Sequence, residues 1–198
     1  MGEYLVNDLL LPYYNMRLCI NESKFKNKPD SDFEQNIKQF IERIPIIKSR
    51  LSTEESTKNS LIMPVLNILG YNVFDPVEVN SEYTADFGVK TKEKVDYALM
   101  KNNEPIMLIE CKPCTTKLGN KQASQLYRYF SVCSAKIGLL TNGLEWMFFS
   151  DLDEENKMDK KAFLTLNLEA MTDEGIAQLS KFGKMYSIQI VSSHKAFV

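Results

Sequence analysis

Lys94-Val95-Asp96-Tyr97 and Ile109-Glu110-Cys111-Lys112 are the stretches whose reading decides the fold. Both have the look of strands, and each carries an acid in an otherwise apolar setting. Between them lies Lys101-Asn102-Asn103-Glu104-Pro105, a polar run that favours a turn. Residues 106–109 form a continuous apolar run, as in a strand covered on both faces. Side chains alternate along a strand, so Glu110 and Lys112 point to one side and Cys111 to the other. A reversal near Asn102 and Asn103 sets Asp96 opposite Ile109 or Glu110, with directly opposed Cβ atoms roughly 4.5–5.5 Å apart. Two carboxylates that close repel, and their burial is costly without a partner. A divalent cation between them relieves both problems. The stretch therefore predicts a metal site on a hairpin, held by Asp96 and Glu110, with the Lys112 ammonium alongside. The competing reading is a structural salt bridge, because charged residues are rarely buried unless paired.

The spacing resembles the PD-(D/E)xK nuclease motif, with Asp96 as the first acid and Glu110-Cys111-Lys112 as the E-x-K. Further segments extend the likeness: Thr53-Glu54-Glu55-Ser56-Thr57-Lys58, Leu69-Gly70-Tyr71, Gln125 to Tyr129, and Leu140-Thr141-Asn142-Gly143. Taken in order over about residues 50 to 183, these resemble the nuclease domain of type I restriction enzyme R subunits and stand-alone restriction endonucleases that share it. The resemblance implies an α/β fold with a restriction-endonuclease-like core, a central mixed β-sheet flanked by α-helices. It implies Glu54 as an accessory acid facing the metal, with Glu55 as the alternate. It also implies the backbone carbonyl of Cys111 as a further oxygen ligand. Gln125 and Tyr129 match a Q-x-x-x-Y element that sits beside the site in such nucleases and helps position DNA or the catalytic groups.

Composition is that of a globular chain: 198 residues, 44% hydrophobic and 25% charged, with no repeat and no low-complexity tract. The net charge of −2 is unevenly spread. Residues 88–136 hold nine basic and four acidic side chains, a local +5 that leaves −7 elsewhere. That positive segment surrounds the proposed site, as a phosphate-binding surface would, and Lys94, Lys117, Lys121, Gln125 and Arg128 are its expected DNA contacts. No apolar run reaches the ~18 residues of a membrane span. The N-terminus lacks a basic region, and Val6 stands where a myristoylation signal needs Ser or Thr. A cytoplasmic location is expected. Cys111 and Cys114 form a C-x-x-C. The single histidine, His194, and the scattered Cys19 and Cys133 do not complete a zinc set, and Pro113 follows where a redox motif would open a helix. These read as structural thiols.

Two domains of unequal size are expected: a helical extension over residues 1–50 and a nuclease domain over 51–198. Residues 4–18 are apolar and aromatic and are expected to pack on the domain, and 21–30 to form a loop. A helix follows with Ser31 or Asp32 as N-cap and Phe33, Ile37, Phe40, Ile41 and Ile44 on one face, interrupted by Pro45. Thr53 caps a second helix that Gly70 ends and Pro64 kinks. Short β-prone pieces lead to the hairpin, and Asp86 reads as a turn residue. Residues 118–132 predict a helix with Lys121, Gln125 and Tyr129 on one stripe. Asn142-Gly143 predicts a type I′ hairpin with Trp146 and Phe148 in the core. The acidic run at 151–155 opens like a calcium loop but lacks its glycine and its closing glutamate, so a solvated turn is expected. An edge strand over 162–168 and a helix over 173–182 close the fold, and the tail to Val198 reads as a truncation or an interface.

The expected activity is metal-dependent DNA endonuclease chemistry of a restriction or anti-phage type, using Mg²⁺ with Mn²⁺ as a substitute. The 198 residues contain no G-x-x-x-x-G-K-(S/T) loop, so no ATP is expected to be used and any motor or specificity function falls to another subunit. A homo-oligomer is the other expected assembly. Two further readings stand beside this one: a nuclease fold that binds nucleic acid without cutting it, and a structural or redox protein using Cys111 and Cys114.

Overall fold

The computed structural model describes residues 30–84 and 94–184. Helix α1 (Ser31–Lys48) starts one residue earlier than the sequence suggests, because the Asp30 side chain accepts from the Asp32 amide. Pro45 does not stop it. Ile37, Phe40 and Ile44 are buried, and this anchored face holds the last turn helical past an exposed proline.

The second helical segment has three parts: α2 (Glu54–Thr57), a π-helical turn (Lys58–Ile62) and α3 (Met63–Ile68). Thr53 caps it as expected, its side chain accepting from Ser56 N while Ser56 Oγ answers Thr53 N. The π turn directly precedes Pro64, where the chain lacks an amide to continue the ordinary ladder. Gly70, at φ +92°, ends the segment.

Six strands follow: β1 (Val79–Tyr83), β2 (Val95–Lys101), β3 (Glu104–Cys111), β4 (Ile137–Thr141), β5 (Glu145–Phe149) and β6 (Leu164–Asn167). They form one sheet in the order of the chain, antiparallel except for the β3–β4 pair. The expected α/β architecture with a mixed sheet between helices is present. Helix α4 (Ser124–Phe130) makes the crossover that parallel strands require. It is shorter than expected. Gly119 and Asn120, poor helix formers, leave the chain in turns up to Ala123, so Lys121 lies outside it. Helix α5 (Asp173–Ser180), capped by Thr172, closes the described fold.

Strand alternation sorts the core into two layers. Tyr97, Leu99, Met107, Ile109, Cys111, Leu139, Trp146 and Phe148 pack with α1, α3 and α5. Ala98, Leu108, Leu140 and Phe149 pack with Leu126 and Phe130 of α4. Helix α1 thus shares a core with the sheet.

Two turns exchange their expected characters. Asn102 and Asn103 both have positive φ, 52° and 66°, in a two-residue loop between paired Lys101 and Glu104, which is the type I′ signature. At Asn142-Gly143 only the glycine does, with φ +81°. There the Asn142 side chain closes the turn by accepting from the amides of Leu144 and Glu145. The run from Asp151 is exposed at residues 153–155, as a solvated turn would be, but Asp151 itself is fully buried against Lys136. The expectations for residues 4–18, Cys19, Asp86, His194 and the C-terminal tail lie outside the described residues. No helix among the described residues is long and apolar enough to cross a membrane.

Candidate active site

The β2–β3 register places Tyr97 opposite Ile109, which sets Asp96 beside the Glu110 end of its neighbour. A bulge between Leu99 and Met100 absorbs Pro105, which has no amide to donate, without disturbing the pairing nearer the acids. One Asp96 oxygen accepts from Cys111 N at 2.6 Å. The other lies 2.5 Å from the Lys58 ammonium.

Glu110 is only 3% exposed. Its Oε1 meets the Lys112 ammonium at 2.5 Å, and its Oε2 is buried with no hydrogen-bond partner. Burial pushes the Glu110 carboxyl up to about 7 against the opposing Lys112 hydrogen bond, and the negative charges of Asp96 and Glu54 push it the same way. For Lys112, burial works against the ammonium most strongly, but its bond to Glu110 together with the charges of Glu110, Glu54 and Asp96 outweighs that and raises its pKa. Burial likewise opposes the Lys58 charge, and the hydrogen bonds to Asp96 and Glu54 overcome it. Burial also raises the Cys111 thiol well above its usual range, so it stays protonated and inert.

Glu54 reaches this cluster indirectly, 3.0 Å from the same Lys58 ammonium. Glu55 instead accepts from Asn59 on the exposed side. The acids do not converge further: among the described residues, no three His, Cys, Asp or Glu side chains gather as a metal-holding group. Asp96 and Glu110 lie across the β2–β3 pair, near enough for the Asp96 charge to push the Glu110 pKa up. Such a pair suits Mg²⁺, which is typically bound through one or two carboxylates and keeps several waters. Glu110 Oε2, buried without a hydrogen-bond partner, is the carboxylate oxygen of the pair that a cation could satisfy.

The remaining expected residues are distributed around this centre. Gln125 of α4 donates to the Lys94 carbonyl, just ahead of Asp96 on the chain. Tyr129, one turn on, is buried in the α4-side core. Lys94 pairs with Glu82 at 2.9 Å. Lys117, Lys121 and Arg128 are exposed, and Arg128 donates to Ser124 O.

Sequence reasoning missed two parts of the site. The first is Lys58, the ammonium shared by Asp96 and Glu54; its signal was the spacing of one helical turn from Glu54. The second is the brace behind the E-x-K. Thr57, fully buried, donates to Thr53 O and accepts from Cys114 N, tying α2 to the chain leaving β3. Lys112 N donates to Thr141 O, and the Asn142 amide donates to Thr116 O. Gly143 sits so close that an added Cβ would lie 2.6 Å from Cβ of Leu61, in the turn that carries Lys58. The Leu-Thr-Asn-Gly element is thus a clamp joining β4 to both acidic segments.

Among curated proteins and among solved structures, nothing matches the chain. The sequence profile of the type I restriction enzyme R protein N terminus (HSDR_N) matches residues 53–163. That span runs from the cap of α2 to the approach of β6, taking in Glu54, Asp96, Glu110, Lys112 and the Leu-Thr-Asn-Gly clamp. By its sequence and by the sheet that sequence builds, the chain belongs to the family of type I restriction enzyme R protein N termini, a family of restriction type.

Proposed function

We propose that this chain is a metal-dependent DNA endonuclease of a restriction or anti-phage type, without an ATPase motor of its own. The observation that supports it most is Glu110: a buried carboxylate with one oxygen paired to Lys112 and the other without any partner, beside Asp96. A group that only stabilised the fold would have both oxygens satisfied, because an unpaired buried polar atom is costly.

Asp96 and Glu110 would hold Mg²⁺, or Mn²⁺ in its place, with the Cys111 carbonyl as a further oxygen and Glu54 on the outer side. When bound there, the ion lowers the pKa of a water and offsets charge developing on the phosphate. Asp96 is oriented for this by the Cys111 amide, which fixes one of its oxygens. Lys112 keeps its proton through its bond to Glu110 and so offers hydrogen bonds to the attacking water or to the pentavalent phosphate. Gln125 holds the start of β2 through the Lys94 carbonyl. The exposed Lys117, Lys121 and Arg128, with Lys94, would contact the DNA backbone, where cations supply most of the sequence-independent affinity.

The test is purified protein incubated with plasmid, linear and modified DNA with and without Mg²⁺. Asp96→Ala, Glu110→Ala and Lys112→Ala are each expected to lower cleavage at least ~10³-fold, with Tm near or above that of the parent protein. Full cleavage by all three variants rejects the proposal. A second reading, DNA binding without cleavage, draws on Asp96, whose two oxygens are already engaged by Lys58 and Cys111 N. Binding in EDTA with no cutting under Mg²⁺ or Mn²⁺ would establish it.

A further inference from the structure

Lys58 has no role in the mechanism above, yet it is the most constrained cation at the site. Its side chain is 13% exposed, and its ammonium lies 2.5 Å from Asp96 Oδ1 and 3.0 Å from Glu54 Oε1. The same ammonium sits 6.0 Å from the centre of the Tyr97 ring. It is carried by the first residue of the π-helical turn, which is backed by Gly143 through Leu61. π turns of this kind recur at functional sites, because the extra residue re-aims a side chain.

The pairing also leaves an imbalance. Lys58 and Lys112 face three carboxylates, those of Glu54, Asp96 and Glu110. The Asp96 oxygen that Lys58 holds is the one not fixed by the Cys111 amide, and so is the oxygen free to turn to a different cation. An ammonium and a divalent ion cannot both sit on it closely, since like charges repel.

We propose that Lys58 is an internal counter-ion that occupies Asp96 in place of the divalent cation and yields that oxygen when the cation binds. This rests on the metal-dependent reading above and assigns it a positioning residue. The ammonium holds Asp96 aimed in the metal-free protein, so the site does not have to reorganise on loading. Once displaced, Lys58 stays tethered by Glu54 on the same helical turn, where it is a ready contact for a phosphate of the bound nucleic acid. The helical segment that starts the family-matched region thereby senses whether the site is loaded.

The test reads the lysine itself. In the intact chain, acylation of Lys58 by a lysine-selective reagent, followed by mass spectrometry, is expected to rise several-fold on adding Mg²⁺, because the ammonium leaves its buried partner. Labelling that is unchanged or reduced overturns the proposal. As a second measurement, Mn²⁺ affinity is read by electron paramagnetic resonance. Lys58→Met is expected to bind Mn²⁺ roughly tenfold more tightly than the parent, and its Tm to rise more on adding the ion. Its cleavage is expected to fall, and Lys58→Arg, which keeps the charge, is expected to return the affinity towards the parent value. A lysine with a merely structural role would leave Lys58→Met binding the ion no better than the parent, and that outcome also overturns the proposal. A parent protein that binds no cation removes both this inference and the nuclease reading. A protein that binds Mn²⁺ with the expected change in labelling but cuts no DNA removes the nuclease reading alone.

Discussion

Glu110 and Asp151 are both buried carboxylates joined to a lysine, and their surroundings differ in one respect. Asp151 Oδ2 accepts from both Lys136 at 3.1 Å and Asn156 N at 2.9 Å, while its Oδ1 has only the Ser150 hydroxyl 3.4 Å away, whose one proton also serves Lys136 O at 2.8 Å. Lys136 in turn reaches Asn156 Oδ1, which ties the loop to the same ammonium. Glu110 has Lys112 on one oxygen and nothing on the other. The comparison separates a carboxylate that fastens a loop from one with a buried oxygen that nothing in the fold satisfies. Both would be described as buried salt bridges, and only the accounting of each oxygen tells them apart.

The difference can be broken most forcefully at Asp151. Asp151→Ala leaves Lys136 without its buried partner and is expected to remove about 3–5 kcal/mol of stability in urea unfolding. Glu110→Ala in EDTA is expected to lose far less, or to gain, because it removes an unsatisfied group. Equal losses would show that the two pairs serve the same purpose.

A metal titration sharpens the contrast. Mg²⁺ at about 100 times its Kd is expected to stabilise the parent protein by roughly 2.7 kcal/mol, seen as a rise in Tm that EDTA reverses. The rise should vanish in Glu110→Ala and persist in Asp151→Asn at a lower starting Tm. A metal response that survives without Glu110 would move the ion elsewhere.

The smallest effect is the dependence on pH. Burial raises the Glu110 pKa from 4.5 to about 7, so the folded state binds a proton that the unfolded state has released. In EDTA, parent stability therefore falls as pH rises from 4.5 towards 7 and levels off above it. Glu110→Gln lacks this loss, and its advantage is expected to open progressively across that window. A gap that stays flat between pH 4 and 8 would show the Glu110 carboxyl to titrate in the folded protein as it does in the unfolded chain.

Much of this was legible in the chain because it depends on local pattern. The strand run ending in Glu110, the Asn102-Asn103 reversal, the Thr53 cap and the Gly70 stop all follow from neighbours in sequence. The errors arose where tertiary contacts overrule local rules. Ile44 holds α1 to the core through Pro45; the late start of α4 is the exception, a local effect of the poor helix formers Gly119 and Asn120. Asp151 looked solvated because its partner, Lys136, lies fifteen residues away. Lys58 was hidden for a similar reason: its contact with Asp96 spans 38 positions, and no periodicity reports that. The Leu-Thr-Asn-Gly element was visible as a turn, but its grip on β3 and on Leu61 exists only once the sheet has formed.

The two-residue reversal at Asn102-Asn103 has a bearing on the order in which charges meet as the chain folds. Closing a hairpin takes about 1–10 µs, far less than recruiting distant segments. Asp96 and Glu110 are therefore driven together before Lys58, which must arrive from another part of the chain. Until Lys58 arrives, Lys112, carried beside Glu110, is the ammonium at hand to oppose the repulsion between the two carboxylates. Ionic strength, which screens that repulsion, is then expected to set how readily the hairpin closes.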